Sequence, residues 1–250
     1  MSRALLPAAL LLTLLAAACS SRGGLTAPAR EPLPEPFRVL LLGDSISIGY
    51  TPHVEEALAG RAVVVRPRHD GPKRSPENCA GTNKGIEHID RWLALEGGAW
   101  DVIHFNFGLH DLKRVHPETG KNSRNAEDPH QADPARYREQ LTALVRRMKE
   151  TNARLVFATT TPVPPGGVRP HREPRDSVEY NEVAMEVMDA EGVEVNDLFA
   201  FATGYPGPIQ READVHFTPE GSEALGARVT AAILEAAGLG TGAPVLVAPR

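Results

Sequence analysis

Two hydrophobic rhythms share this chain. Short apolar runs fall at Phe37–Leu42, Ala62–Val65 and Leu155–Ala158, and runs of apolar residues interrupted by polar ones at Trp100–Phe107 and Val193–Leu198. Between them, apolar residues return every three or four positions, as on one face of a helix. The runs predict strands covered on both faces, as in a parallel sheet. The periodic stretches predict helices over 47–59, from a cap at Thr82 or Asn83 to about Leu95, from Asp133-Pro134 onward, over 177–190, and from Thr218-Pro219 to about Ala237. Ser47–Ala59 carries Pro52, which fits best in a first turn. In the third, Tyr137, Leu141, Leu144, Val145 and Met148 keep the spacing, behind a capping aspartate and a proline at the first helical position. In the second, Ile86, Ile89, Trp92 and Leu93 are expected on the inner side.

Strands alternate with helices throughout. The predicted fold class is therefore α/β, a three-layer α/β/α sandwich around a mainly parallel sheet with right-handed crossovers. Ligands bind such sheets beyond the C-terminal ends of the strands. Ser45, Gly81, His110, Thr161 and the loop before the last helix are all expected there. Lys113–Asp133 is the longest irregular segment, a length usually tied to function or to disorder.

Composition narrows this little. The chain has 250 residues, 42% of them hydrophobic, with a formal charge of −5 from 27 basic and 32 acidic side chains. No concentrated basic patch suggests a nucleic-acid partner. Two cysteines, Cys19 and Cys79, do not make a disulfide scaffold. The N-terminal stretch changes the picture more. Arg3 precedes an uncharged apolar run, Ala4–Ala18, too short for a comfortable membrane span. It ends in Leu15-Ala16-Ala17-Ala18-Cys19-Ser20. This is similar to a bacterial lipobox, in which Cys19 is lipidated; an ordinary signal peptide cut at the alanines is the alternative. Residues 1–18 are expected as a signal peptide, 19–36 as a flexible tether, 37–240 as the folded domain and 241–250 as a tail. The mature protein is expected outside the cytoplasm, with membrane contact through a lipid anchor on Cys19, or else as a periplasmic or secreted form.

The candidate chemistry starts at Gly43-Asp44-Ser45, where the first strand breaks at a glycine turn and a serine follows. A serine needs a neighbouring base to become a nucleophile. His216, just before the last helix, is the candidate base, and Asp214 the nearest acid to orient it, with Glu212 the substitute. The turn is not the Gly-x-Ser-x-Gly elbow, since position 47 is serine. Cys79 beside Gly81 is expected to pack as a small apolar group. His104, His110 and His116 with Asp111 show no recognised metal-ligand spacing, so neither metal nor other cofactor is expected.

Gly43-Asp44-Ser45, Gly81, Gly108-x-x-Asp111 and Asp214-Val215-His216-Phe217-Thr218-Pro219-Glu220-Gly221, in that order, resemble the SGNH, or GDSL, hydrolase family over roughly residues 37–237. The resemblance implies a flavodoxin-like SGNH fold and a serine esterase. It implies that Ser45 attacks an ester carbonyl, that His216 shuttles the proton, and that the Ser45 and Gly81 N–H groups form two-thirds of an oxyanion hole. The family's third donor is an asparagine; here His110 occupies that place, and Asn106 is a possible compensating amide. The family's acid usually lies three residues before the histidine; here Ala213 stands there and Asp214 lies two before. Asp44 and Asp111 are expected in supporting roles.

The family removes acyl groups from lipids, thioesters and sugars. Segment 161–176 has no long apolar run to line a fatty-acid channel, and segment 113–133 is polar, with Lys113, Arg114, His116 and Asn122. The favoured reading is removal of O-acetyl groups from carbohydrate. The alternatives are a short-chain carboxylesterase or lysophospholipase, and a non-catalytic surface carbohydrate-binding protein.

Overall fold

A computed structural model describes residues 31–70 and 73–240. The signal segment, Cys19 and the tail from 241 lie outside the described residues. Five strands form one all-parallel sheet in the order β2-β1-β3-β4-β5. They are β1 Phe37–Leu42, β2 Ala62–Val65, β3 Val102–Phe105, β4 Arg154–Ala158 and β5 Glu194–Asn196. This is the flavodoxin-like order of a doubly wound sheet. Helices α1 (Ser45–Ala57) and α6 (Pro219–Ala236) pack together on one face. Helices α2 (Thr82–Leu93), α3 (Pro134–Lys149) and α4 (Pro174–Glu191) line up on the other. A short α5 (Leu198–Thr203) follows β5.

The central strands are apolar because both faces are covered. Val39, Leu40, Leu41 and Leu42 on β1 and Val102, Ile103 and Phe105 on β3 are all at most 1% exposed. Among the described residues no helix is long and apolar enough to cross a membrane. The last residues of the expected tether are tied to the domain: Leu33 N donates to Ala237 O, and Arg154 Nη2 to Glu31 O.

Several element boundaries differ from the sequence reading, each for a local reason. Helix α1 begins at Ser45, because Asp44 accepts from Ile46 N and caps it. Pro52 therefore lies inside the helix rather than in its first turn, and forfeits the backbone bond to Ile48. Helix α2 is capped by Gly81, not by Thr82 or Asn83, since the Thr82 hydroxyl is engaged with Asp111. Ile86 is largely exposed rather than inner. Helix α4 starts at Pro174, three residues before Ser177, because Glu173 and Asp176 form a reciprocal capping box. Strand β3 is shorter than the Trp100–Phe107 run, since its flanks leave the sheet. Leu198, expected at the end of the last strand, instead opens α5 behind the Asp197 cap.

Candidate active site

Every strand points the same way, so every strand-to-helix loop opens at one edge. Gly43-Asp44-Ser45 follows β1 there, and Ser45 is the first residue of α1. Its N–H is one of the donors that a helix start leaves without an intrahelical partner. The turn is held from behind. Arg66, buried after β2, donates from Nη1 to Thr51 Oγ1 at 2.7 Å and from Nη2 to Glu77 O at 3.1 Å, with Ser47 Oγ at 3.3 Å and Gly43 O at 3.5 Å. Cys79 N also donates to Gly43 O. One guanidinium thus joins the serine turn to the loop that carries Gly81. Asp44 is buried behind the serine, and burial raises its pKa against the opposing hydrogen bonds and the charges of Arg172 and His216.

His216 reaches this turn from the loop before α6. Ser45 Oγ lies 2.9 Å from His216 Nε2, and His216 Nδ1 lies 2.7 Å from Asp214 Oδ1. The acid two residues from its histidine reaches it by a tight turn: Asp214 Oδ1 also accepts from His216 N at 3.1 Å, the Asx geometry. Ala213 takes a left-handed φ of 49° just before, which swings the aspartate back towards the ring. Burial tends to raise the Asp214 pKa, but the backbone and imidazole hydrogen bonds from His216 outweigh it and hold the carboxyl below its usual range. An ionised carboxylate accepts from Nδ1–H, leaving the Nε2 lone pair for the Ser45 hydroxyl. Glu212 is exposed and makes no bond to His216. The loop itself is pinned to α6 at Gly221, where an added Cβ would stand 2.1 Å from Ile209 O.

Gly81 lies extended at the N-terminus of α2, with its N–H free of the helix ladder. A Cβ there would meet the Asp111 carboxylate at 2.7–2.8 Å, so the close approach requires glycine. Asp111 is wholly buried, and its Oδ1 accepts from Thr82 N at 2.8 Å. Thr82 Oγ1 lies 2.6 Å from Asp111 Oδ1 and 2.7 Å from Gln140 Oε1. Gln140 Nε2 is turned away to Asn83 Oδ1, so its oxygen faces Thr82. With the amides in this orientation one hydroxyl proton cannot serve both oxygens, and a proton on Asp111 resolves the trio. Burial supplies the reason, lifting the Asp111 pKa to about 7 against its hydrogen bonds.

His110 is partly buried on the same edge. Burial, reinforced by Lys113, Arg172, His216 and Lys84, pushes its pKa down to about 3. At neutral pH it is an uncharged imidazole. Asn106 does not supply the spare amide: its Nδ2 donates to Ala158 O at 2.7 Å, with Thr160 Oγ1 at 3.4 Å. It braces the ends of β3 and β4. His104 sits within the covered sheet against Tyr50, and His116 lies apart on the outer loop, where its Nδ1 accepts from Glu118 N. Among the described residues no group of three or more His, Cys, Asp or Glu is placed to hold a metal. Cys79 is free and fully buried, with its thiol pushed up to about 11 by burial.

Three contributors escaped the sequence reading. Arg66 directly follows the second predicted strand, and an arginine at a strand end gives no signal of burial. Thr82 looked like a cap. Arg172 belongs to a basic loop that looked solvated, yet it is only 6% exposed and donates from Nε to Leu109 O at 2.8 Å.

A model of the GDSL-like lipase/acylhydrolase family matches residues 41–224. A comparison with curated protein sequences finds no match. Among solved structures, the lipase/acylhydrolase from Enterococcus faecalis is 22% identical, with a TM-score of 0.60, over 80% of this chain and 95% of its own. The acetyl xylan esterase AlAXEase is 13% identical, TM-score 0.61, over 78% and 99%. A GDSL-like lipase from Bacteroides thetaiotaomicron is 13% identical, TM-score 0.56, over 83% and 92%. At these identities the structural likeness carries the fold alone.

Proposed function

From the premise that this chain belongs to the GDSL-like lipase/acylhydrolase family of ester hydrolases, we propose that Ser45, His216 and Asp214 form its catalytic triad and that the substrate is an O-acetylated carbohydrate. One observation carries the reading: the unbroken relay from Ser45 Oγ through His216 to Asp214 Oδ1, at 2.9 and 2.7 Å. Ser45 Oγ attacks the ester carbonyl while His216 Nε2 takes its proton. Asp214 holds the ring and stabilises the imidazolium. Collapse of the tetrahedral intermediate breaks the ester C–O bond. His216 returns the proton to the leaving sugar oxygen, and an acetyl-serine remains. Water then repeats the attack, with His216 again as base, and Ser45 is restored with release of acetate.

The Ser45 and Gly81 N–H groups, at two helix N-termini, face the developing oxyanion. His110 supplies a third donor from its neutral ring. Asp111 acts indirectly, by fixing the Gly81-Thr82 backbone. A short acyl group is favoured because segment 161–176 has no long apolar run to line a fatty-acid channel. The proposed setting is outside the cytoplasm, with a lipid on Cys19 as the membrane anchor.

The test is acetate release from acetylated glycans and aryl acetates by the 31–250 protein. Ser45→Ala and His216→Ala are expected to lose at least roughly 10³-fold in kcat with the fold retained. Full turnover by Ser45→Ala refutes the mechanism. A series from acetyl to octanoyl esters tests the substrate, and a preference for the long chains refutes the acetyl reading.

A further inference from the structure

Two basic side chains at the rim of this site are left without the partners that such groups normally find. Several partly buried cations are paired, Lys84 with Glu77 and Arg114 with Glu173 and Asp176, and Arg154 is held by the Ala236 and Glu31 carbonyls. Arg66 has no carboxylate but all its outer nitrogens are bonded. Lys113 is half-buried, three residues beyond His110, and among the described residues its ammonium makes neither ion pair nor hydrogen bond. Arg172 braces the same loop from the other side. Its Nε donates to Leu109 O at 2.8 Å and its Nη1 to Pro170 O at 3.4 Å. Its Nη2 has no partner among the described residues, and it is not sealed from solvent as the orphaned Arg66 Nε and Arg114 Nε are. The guanidinium is held in place by two nitrogens and leaves the third without a protein partner among those residues.

The two charges act on each other and on His110, and Arg172 also feels Asp44, the neighbour of Ser45. Arg114 N donates to His171 O at 2.9 Å, which sets the segments that carry them side by side, and Leu109, whose carbonyl Arg172 holds, lines the same cavity as Asp44. The nearest carboxylates offset them poorly. Asp44 and Asp111 are buried, each bonded to its own turn, and burial disfavours the charged form of both. Holding like charges together in a half-buried place costs free energy, which an anion would recover by taking charge-assisted hydrogen bonds from both groups.

The geometry points to an anion subsite beside Ser45, in which Lys113 and Arg172 Nη2 hold the carboxylate of an acidic sugar whose neighbouring hydroxyl carries the acetyl group. This rests on the acetylesterase reading and narrows it, from carbohydrate to uronic-acid-containing carbohydrate. Arg172 is pre-organised by Leu109 and Pro170, so little side-chain freedom is lost when the anion docks.

The experiment compares O-acetylated galacturonate oligomers with the same oligomers converted to neutral C6 amides. Both carry the same ester, so the ratio of their kcat/KM values isolates the carboxylate. The expected ratio favours the acid by about tenfold or more, mostly through KM. Lys113→Gln is expected to bring the ratio near one, and Lys113→Glu to invert it. Arg172→Gln is expected to act in the same direction but also disturbs the Leu109 contact, so Lys113 carries the test. An equal loss on acid and amide overturns the proposal, because the charges then serve the oxyanion or the fold. An unchanged ratio overturns it too, as does an anionic preference found for lysophospholipids but not for the uronate. Direct titration of tri-galacturonate into Ser45→Ala separates the two readings: absence of aryl acetate turnover in the wild type sinks the esterase, whereas absence of binding here, or binding indifferent to Lys113→Gln, sinks the subsite alone.

Discussion

Replacing Asp111 with asparagine tests how the Gly81-Thr82 backbone, the proposed oxyanion loop, is held. The carboxyl is fully buried, its Oδ2 has no partner, and its pKa is lifted to about 7 by burial. In the unfolded chain it titrates near 3.9. The folded state therefore binds the proton more tightly. Between about pH 4 and pH 7 the unfolded chain gives up this proton while the folded protein keeps it, so stability falls as pH rises through that window. The contribution is fully present below the unfolded pKa and lost as pH passes the folded one. Each tenfold change in proton affinity is worth about 1.4 kcal/mol, so the whole rise amounts to roughly 4 kcal/mol. An asparagine amide in this place cannot ionise, so the wild-type protein loses stability relative to Asp111→Asn along this slope.

Urea unfolding of both proteins at half-unit steps from about pH 4.5 to pH 8 reads the difference directly. The comparison is needed because two other groups tilt the curve the opposite way. His104 and His110 have pKa values depressed to about 3, so their contribution is complete above the unfolded value near 6.5 and is lost as pH falls. Wild type and variant share those histidines, and the terms cancel. The amide is expected to be the less stable at low pH, since its Nδ2–H groups have no acceptor where Oδ2 stood. The slope of the difference, not its sign at one pH, is the prediction. A difference flat to within about 0.5 kcal/mol across the range would show that Asp111 ionises normally and holds no extra proton beside Thr82 and Gln140.

Asp214→Asn is expected to lower kcat by roughly 10²–10⁴, by favouring the wrong His216 tautomer, while Glu212→Gln leaves it within about twofold; esterase kinetics on an aryl acetate decide. His110→Ala is expected to lose roughly 10²-fold in kcat and His110→Asn to recover most of it. Because the His110 ring is already neutral above about pH 3, neither change moves the acidic limb of the rate profile, and a limb that shifts refutes the neutral-donor role. Gly81→Ala drives a methyl group into the Asp111 carboxylate, and both kcat and the thermal midpoint are expected to fall. Arg66→Met strips the buried hydrogen bonds from Thr51, Ser47, Gly43 and Glu77, at a cost of roughly 2–4 kcal/mol in urea unfolding.

The fold was legible because its signals are local. Apolar runs marked β1 and β2 to the residue, and Asp133-Pro134 and Thr218-Pro219 marked the starts of α3 and α6. Errors arose where one side chain serves two structures. Thr82 could have capped α2 but binds Asp111, and Leu198 suits a strand end as well as a helix start. The serine and histidine were legible by order along the chain, since parallel strands bring all their following loops to one edge. Their support was not. Asp214 looks misplaced by one residue only while its loop is imagined extended; the left-handed turn at Ala213 and the Asx bond to His216 N close the gap. Asp111 cannot be recognised as a proton-holding carboxyl from its neighbours in sequence, because its burial depends on groups such as Gly81, Thr82 and Gln140, which lie on two other helices or their caps. Arg66, Lys113 and Arg172 show the same limit. Whether a cation is paired is a property of three-dimensional neighbours, which the positions of Lys113 and Arg172 along the chain do not show. In the proposed reading, the loops after β3 and β4 set the choice of substrate, while those after β1 and β5, which bring Ser45 Oγ to His216 Nε2, carry the reaction.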